Sequence, residues 1–236
     1  MAVAWDSQSE SHTGTTGSVS EGSFSWTHTP SGTPAGILVF TFTNFSIDII
    51  SAVDYGGVAM TAVTGGYAID TATEPGNCKA WYLGSSIPTG AQTITVTRTN
   101  NTTVAYAACH AVTASTNTEV YTPGIVLLQN NGTFAEQNVD DGSPGTNSLR
   151  FAGANSGNSS QSIAGANSTL NVASCIDYGV RVCVTVYETV AGQGSRPVGF
   201  SYGTSDDRAA VHLAVREVVT TSSGVLGSLL MMGMGQ

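Results

Sequence analysis

Side chains able to do acid, base or nucleophilic chemistry are few in this chain and far apart. The histidines are His12, His28, His110 and His212. A hydrolase triad requires a nucleophile, a base and an orienting acid in mutual hydrogen-bond reach, and no G-x-S-x-G turn presents a serine for that role. His12 and His28 fall in a Ser/Thr-rich N-terminal stretch. His110 and His212 fall inside strand patterns, where an ordinary structural position is the expected reading. Glycoside cleavage requires two carboxyl groups about 5–9.5 Å apart on one face, which on a strand means acids two residues apart. Glu188 and Glu217 are the glutamates inside strand patterns, and each stands alone. The expectation is a protein that is not an enzyme.

Metal and sugar chemistry fare little better. Asp140-Asp141 with Asn147, and Asp206-Asp207, could offer hard oxygens to calcium, but Asx residues in Gly/Ser loops also form turns with their own backbone. Neither an EF-hand nor a nonapeptide repeat accompanies them, so no metal site and no cofactor is expected. Cys78, Cys109, Cys175 and Cys183 form no CxxC pair; free, buried thiols beside strands are the expectation. Trp5, Trp26, Trp81 and the tyrosines could stack on sugar rings, which keeps a carbohydrate-binding module as a second class of function, although aromatics in strands more often fill cores.

The elements that must position these groups read as strands. Apolar residues alternate with polar ones almost throughout, and no convincing helical period is present. Strands are expected over 36–43, 49–54, 58–63, 78–83, 91–99, 104–112, 146–151, 169–175, 180–190, 198–202 and 210–219, with Tyr55-Gly56-Gly57 as a hairpin turn between two of them. Between Gln129 and Ser168 turn-forming residues are so dense that a loop-rich insertion is expected, either functional or partner-bound. With no helix to make a parallel crossover, the pattern predicts an all-β fold: one antiparallel β-sandwich, jelly-roll-like, of about ten strands. The expected organisation is an N-terminal arm with the first strand over 1–35, a sandwich over 36–219 and an apolar C-terminal tail over 220–236.

Composition narrows the partners. Charged residues make up 10% of the 236, less than half of the roughly 25% usual in globular domains. The formal net charge is −9, which excludes the basic footprint of a nucleic-acid binder and disfavours an anionic membrane surface. The first residues lack the basic and apolar regions of a signal peptide, so folding in a cytoplasm is expected. The ends stand out: Trp5, Phe24 and Trp26 punctuate the arm, and Leu229, Leu230, Met231 and Met232 crowd the tail. Exposed apolar residues of this kind suit contact with a partner, and these seven are the candidate partner-binding residues.

Tyr55-Gly-Gly-Val-Ala-Met-Thr61, Ala80-Trp-Tyr-Leu83 and Ile87-Pro-Thr-Gly-Ala-Gln-Thr-Ile-Thr-Val-Thr97 resemble a sandwich module of tailed-bacteriophage virion proteins and related bacterial surface proteins. The resemblance covers about Val3 to Val112, with a return over Val180–Val219. Its motifs are structural and bring no catalytic residues. It implies a capsid decoration or cement protein that is assembled in the host cytoplasm. Such a protein contacts the major capsid protein or other virion proteins as a homo-oligomer, with a trimer as one arrangement. The alternative is a carbohydrate-binding or host-adhesion module on a tail or fibre.

Overall fold

The computed structural model describes residues 3–13, 22–71, 76–100, 104–142, 147–157, 162–177 and 182–218. The strands, in chain order, are β1 (Ala4–His12), β2 (Ser23–His28), β3 (Gly36–Thr43), β4 (Ile50–Tyr55), β5 (Val58–Ala59), β6 (Thr61–Asp70), β7 (Gly76–Leu83) and β8 (Gln92–Arg98). They continue with β9 (Ala105–Thr113), β10 (Thr118–Val139), β11 (Ser148–Ser156), β12 (Ile163–Gly165), β13 (Leu170–Asp177), β14 (Val182–Glu188) and β15 (Arg196–Glu217). All pair antiparallel, in three open sheets ordered β1-β9-β3-β7-β6, β2-β8-β4-β5 and β10-β15-β11-β14-β13, with β12 added to β15.

The all-β expectation holds, but the expected jelly-roll-like sandwich of about ten strands does not. The β1-β9-β3-β7-β6 sheet is a middle layer with a core on each face. Towards the small sheet, Ile37, Val39, Ala107, Cys109 and Ala111 meet Phe24, Val53, Tyr55, Ile94 and Val96. Towards the large sheet, Leu38, Phe40, Phe42, Tyr106 and Ala108 meet Leu149, Phe151, Val211 and Leu213. Strands buried on both faces lose the clean apolar/polar alternation of a two-layer sandwich, and every residue of β3 is indeed buried. In β9 the small residues Ala105, Ala107, Cys109 and Ala111 face the small sheet, and Tyr106 and Ala108 face the large one.

The large sheet covers its own outer face. β10 and β15, each 22 residues long, pair from Thr118↔Glu217 to Val139↔Arg196, with register shifts at Tyr121/Ile125, Gln129/Gly132 and Gly132/Phe134. Irregularities of this kind bend a ribbon and increase its twist. The far end therefore folds back, so that Ala135, Val139, Val198, Phe200 and Tyr202 pack on Ala152, Ala154, Val184, Val186, Ala210 and Ala214. Asn130-Asn131-Gly132, part of the stretch expected to be rich in turns, lies inside one bent strand, as does Pro123-Gly124. The segment expected to be a loop-rich insertion contains the end of β10, all of β11, whose residues are all buried, and β12.

Two glycines set how closely the layers approach. A Cβ on Gly153 would stand 2.5 Å from the Phe40 ring, so the middle and large sheets meet where no side chain intervenes. Gly84 fills the same role at the end of β7, where a Cβ would collide with the backbone oxygen of Thr118.

Candidate functional site

A groove of about 450 Å³ opens beside that second approach. Its walls are Thr61–Thr64 of β6, Tyr82 and Leu83 of β7 with Gly84 and Ser85, Asn117–Val120 at the start of β10, and Val218 just past β15. The Tyr82 hydroxyl lies 2.5 Å from Thr118 Oγ1, which donates to the Ala35 carbonyl at 2.6 Å. This chain of bonds leaves no free hydroxyl at the base, and burial holds the phenol well above its ordinary pKa. The charged group on the wall, Glu119, is paired with Arg216 at 2.7 Å. The groove therefore offers apolar surface from Val63, Leu83 and Val120 beneath an uncharged rim of Thr61, Thr64, Ser85 and Asn117.

The strongest electrostatic cluster is elsewhere and is closed. Arg150 of β11 is fully buried, with Nη1 3.2 Å from Glu188 Oε2 and Nη2 3.5 Å from Asp141 Oδ2. Its Nη1 also donates to the Gly192 carbonyl at 3.0 Å, Nε to the Val139 carbonyl at 3.3 Å, and Nη2 to the Gly194 carbonyl. Asp141 accepts from Ser148 Oγ at 2.9 Å and from the Gly194 amide at 3.1 Å. Burial raises the Glu188 pKa above the ordinary carboxylate value, opposed by Arg150 and Arg196. A buried guanidinium stays charged and is tolerable only when paired. Here it bolts the turn after β14 to β11, and every group is committed to a partner within the fold.

Smaller constellations have the same character. Glu10 of β1 accepts from the Tyr106 hydroxyl at 2.9 Å and from Ser174 Oγ, joining three strands from two sheets. His28 Nδ1 is 2.8 Å from Ser9 Oγ and Nε2 is 3.4 Å from Ser7 Oγ, with Ser7 donating to Asp6 at 3.0 Å. This resembles a triad on paper, but His28 is 1% exposed and Ser9 Oγ already accepts from Trp26 Nε1 at 2.8 Å. His110 and His212 lie in the core, where burial depresses their pKa values to about 3 and about 4. Arg208 is stacked 3.7 Å from the Tyr202 ring centroid. Lys79 pairs with Asp48 at 2.6 Å and sits 4.4 Å above the Trp81 ring.

The candidate partner-binding residues divide sharply. Trp5 is stacked on Tyr187 with centroids 4.5 Å apart. Phe24 is buried, and with the half-buried Trp26 stacked 6.0 Å away it packs onto the core between the middle and small sheets. These three rings thus tie the arm to its own chain. Leu229, Leu230, Met231 and Met232 lie outside the described residues, as does the rest of the expected docking tail from 220 to 236. Among the described residues no group of three or more His, Cys, Asp or Glu side chains is placed to hold a metal. The four cysteines form no disulfide; Cys78, Cys109 and Cys183 are buried and Cys175 is exposed. Sequence reasoning missed the groove and the Arg150 cluster, because both are built by residues from strands distant in the chain.

Comparison with known proteins is silent: no family model matches the chain, and no curated protein or solved structure matches it.

Proposed function

We propose that the protein is a non-enzymatic structural subunit of a tailed-bacteriophage particle, a decoration or cement protein that contacts the major capsid protein or other virion proteins. The observation that favours association is the edge of the large sheet. β10, 22 residues long, is outermost in the hydrogen-bonded order of its sheet; β6 packs on it near Gly124, whereas Val126 and Leu128 are 44% and 53% exposed. Long edge strands with outward apolar side chains tend to pair with another chain unless covered or charged, and neither residue is charged. The other support is chemical: among the described residues Glu10, His28, Asp141 and Glu188 are each bonded to other side chains of the fold. Function is then mass action, many copies favouring the assembled state over the dissociated one.

The test is immunogold electron microscopy of phage particles from cells that produce the chain. Regular labelling of the capsid is the expected result; labelling confined to tail fibres, or absent from particles, overturns the cement reading. A glycan array separates the second reading, carbohydrate recognition by the 129–168 segment, since a cement protein shows no saccharide preference. Val126→Lys with Leu128→Lys, which places gatekeeping charges on the edge, is expected to reduce capsid occupancy at least tenfold while leaving the unfolding midpoint unchanged.

A further inference from the structure

We propose that a water-binding site lies between the middle and large sheets, framed by Gln8 of β1, His110 of β9 and Thr185 of β14. His110 and Thr185 are fully buried, yet no protein group bonds either ring nitrogen of His110 or the Thr185 hydroxyl. Gln8 Oε1 is buried and unpartnered within the protein as well. The large majority of buried polar side-chain atoms are hydrogen-bonded, and internal water serves where protein groups do not. Three such residues on facing layers therefore point to a ligand.

Strand pairing brings the three to one place. Gln8 stands directly opposite His110, and cross-strand partners point to the same face. That face is turned to the large sheet: the His110 ring lies 5.6 Å from that of Phe151, and Glu10, two residues beyond Gln8, bonds Ser174. Two contacts bracket the site along β1, the stack of Trp5 on Tyr187 and the bond of Glu10 to Ser174. Gln8 lies between Trp5 and Glu10, while Thr185 lies two residues from Tyr187 and directly opposite Ser174. Gln8 and Thr185 consequently face each other across the layers. Their neighbours there are small: Ala108 precedes His110 on its face, and Gly153 stands opposite Thr185. The chemistry selects water, which both gives and accepts. The Thr185 hydroxyl does the same, Gln8 Oε1 accepts, and the His110 ring, which burial keeps uncharged at neutral pH, offers one donor and one acceptor. The Glu10 carboxylate beside them already accepts from Tyr106 and Ser174, so the three groups form an uncharged site.

A high-resolution crystal structure of the full chain tests this directly. The expected result is density for a water within about 3.2 Å of at least two of Gln8 Oε1, the His110 nitrogens and Thr185 Oγ1. Absence of that density, or direct bonds among the three side chains in its place, overturns the proposal. Thr185→Val, which removes the hydroxyl and keeps the shape of the side chain, gives a second reading in solution through the sign of its effect. Where the hydroxyl holds a water, its loss lowers the urea midpoint; a dry, unpaired hydroxyl only costs, so its removal raises the midpoint. A lowered midpoint is expected, and a raised or unchanged one overturns the proposal. Oxygen-17 relaxation dispersion should in turn count at least one fewer long-lived internal water in Thr185→Val than in the wild type; an equal count overturns it. The experiments use no phage particle, so their outcome is independent of the capsid reading.

Discussion

Glu188 Oε2 lies 3.2 Å from Arg150 Nη1, with neither side chain more than 2% exposed. Asp141, equally buried, stands on the other side of the guanidinium at 3.5 Å. One cation between two carboxylates leaves a net negative charge inside the protein, compensated by the Ser148 hydroxyl, the Gly194 amide and the nearby Arg196, 3.9 Å from Glu188. Such a cluster favours one arrangement of the turn over alternatives, because moving any member strands a buried charge.

Arg150→Met is accordingly expected to cost about 3–5 kcal/mol, the typical effect of removing one partner from a buried pair. Urea unfolding measures it. The double variant Arg150→Met/Glu188→Gln should be less destabilised than the sum of the two single changes, because the residues share one network. A loss below about 1 kcal/mol in Arg150→Met would show that the surrounding carbonyls alone hold the turn.

Acid should weaken the fold through its buried histidines, above all His110 and His212. Neither nitrogen of His110 has a hydrogen-bond partner within the protein, and the ring lies against Phe40 and Phe151. The unfolded chain takes up protons near pH 6.5, whereas folded His110 and His212 resist until about 3 and about 4. Their contribution is complete above pH 6.5 and is lost as pH falls towards those folded values. At pH 5 each costs about 2 kcal/mol. Glu188 acts in the opposite sense: its raised pKa favours the fold below the ordinary carboxylate value, and that benefit is lost as pH rises through the raised one. Denaturation midpoints at pH 7.5 and 5.0 should therefore differ, and His110→Leu should remove a large part of the difference, with His212 and the buried His28, whose pKa burial also lowers, carrying the rest. An unchanged difference would place the acid sensitivity elsewhere.

Gly153→Ala is expected to destabilise by about 1–3 kcal/mol, as overpacking does in a filled core. The Phe40 ring would have to move away from the new methyl. Phe40→Leu in the same chain should recover part of the loss, which a purely conformational effect of the glycine would not allow.

Replacing Glu10 by Leu should leave the buried Tyr106 and Ser174 hydroxyls without their shared acceptor, at a cost of about 1–3 kcal/mol. Hydrogen exchange should accelerate first in β1 and β13, the strands that the carboxylate joins, and Glu10→Gln should restore most of the protection. Uniform acceleration across all three sheets would instead mean that the cluster contributes only to global stability.

Much of the fold is legible in the residues themselves. Runs rich in β-branched and aromatic residues mark β3, β8 and β14, and Tyr55-Gly56-Gly57-Val58 makes its hairpin with both glycines at positive φ. The misreadings share one cause. An Asn-Asn-Gly run relaxes the backbone, and whether the chain then turns away or bends and stays paired depends on the strand opposite. For β10 the whole of β15 lies opposite, so the run bends the strand and the ladder continues. The Ala/Gly/Asn content of β11 lowers its strand propensity, yet it pairs with β14 on one side and β15 on the other.

By itself the sequence determined that the chain is all-β, poor in charge, without a recognisable catalytic spacing and apolar at its C-terminal end, because these follow from composition and from a period of two. Only the tertiary structure decided that there are three sheets instead of two, that Trp5, Phe24 and Trp26 pack on their own chain, that Arg150 is enclosed by Asp141 and Glu188, and that a groove opens where β15 ends. Each of these depends on which distant strands become neighbours. Pairing is selected by the collective burial of whole faces, an energy that no local run of residues carries.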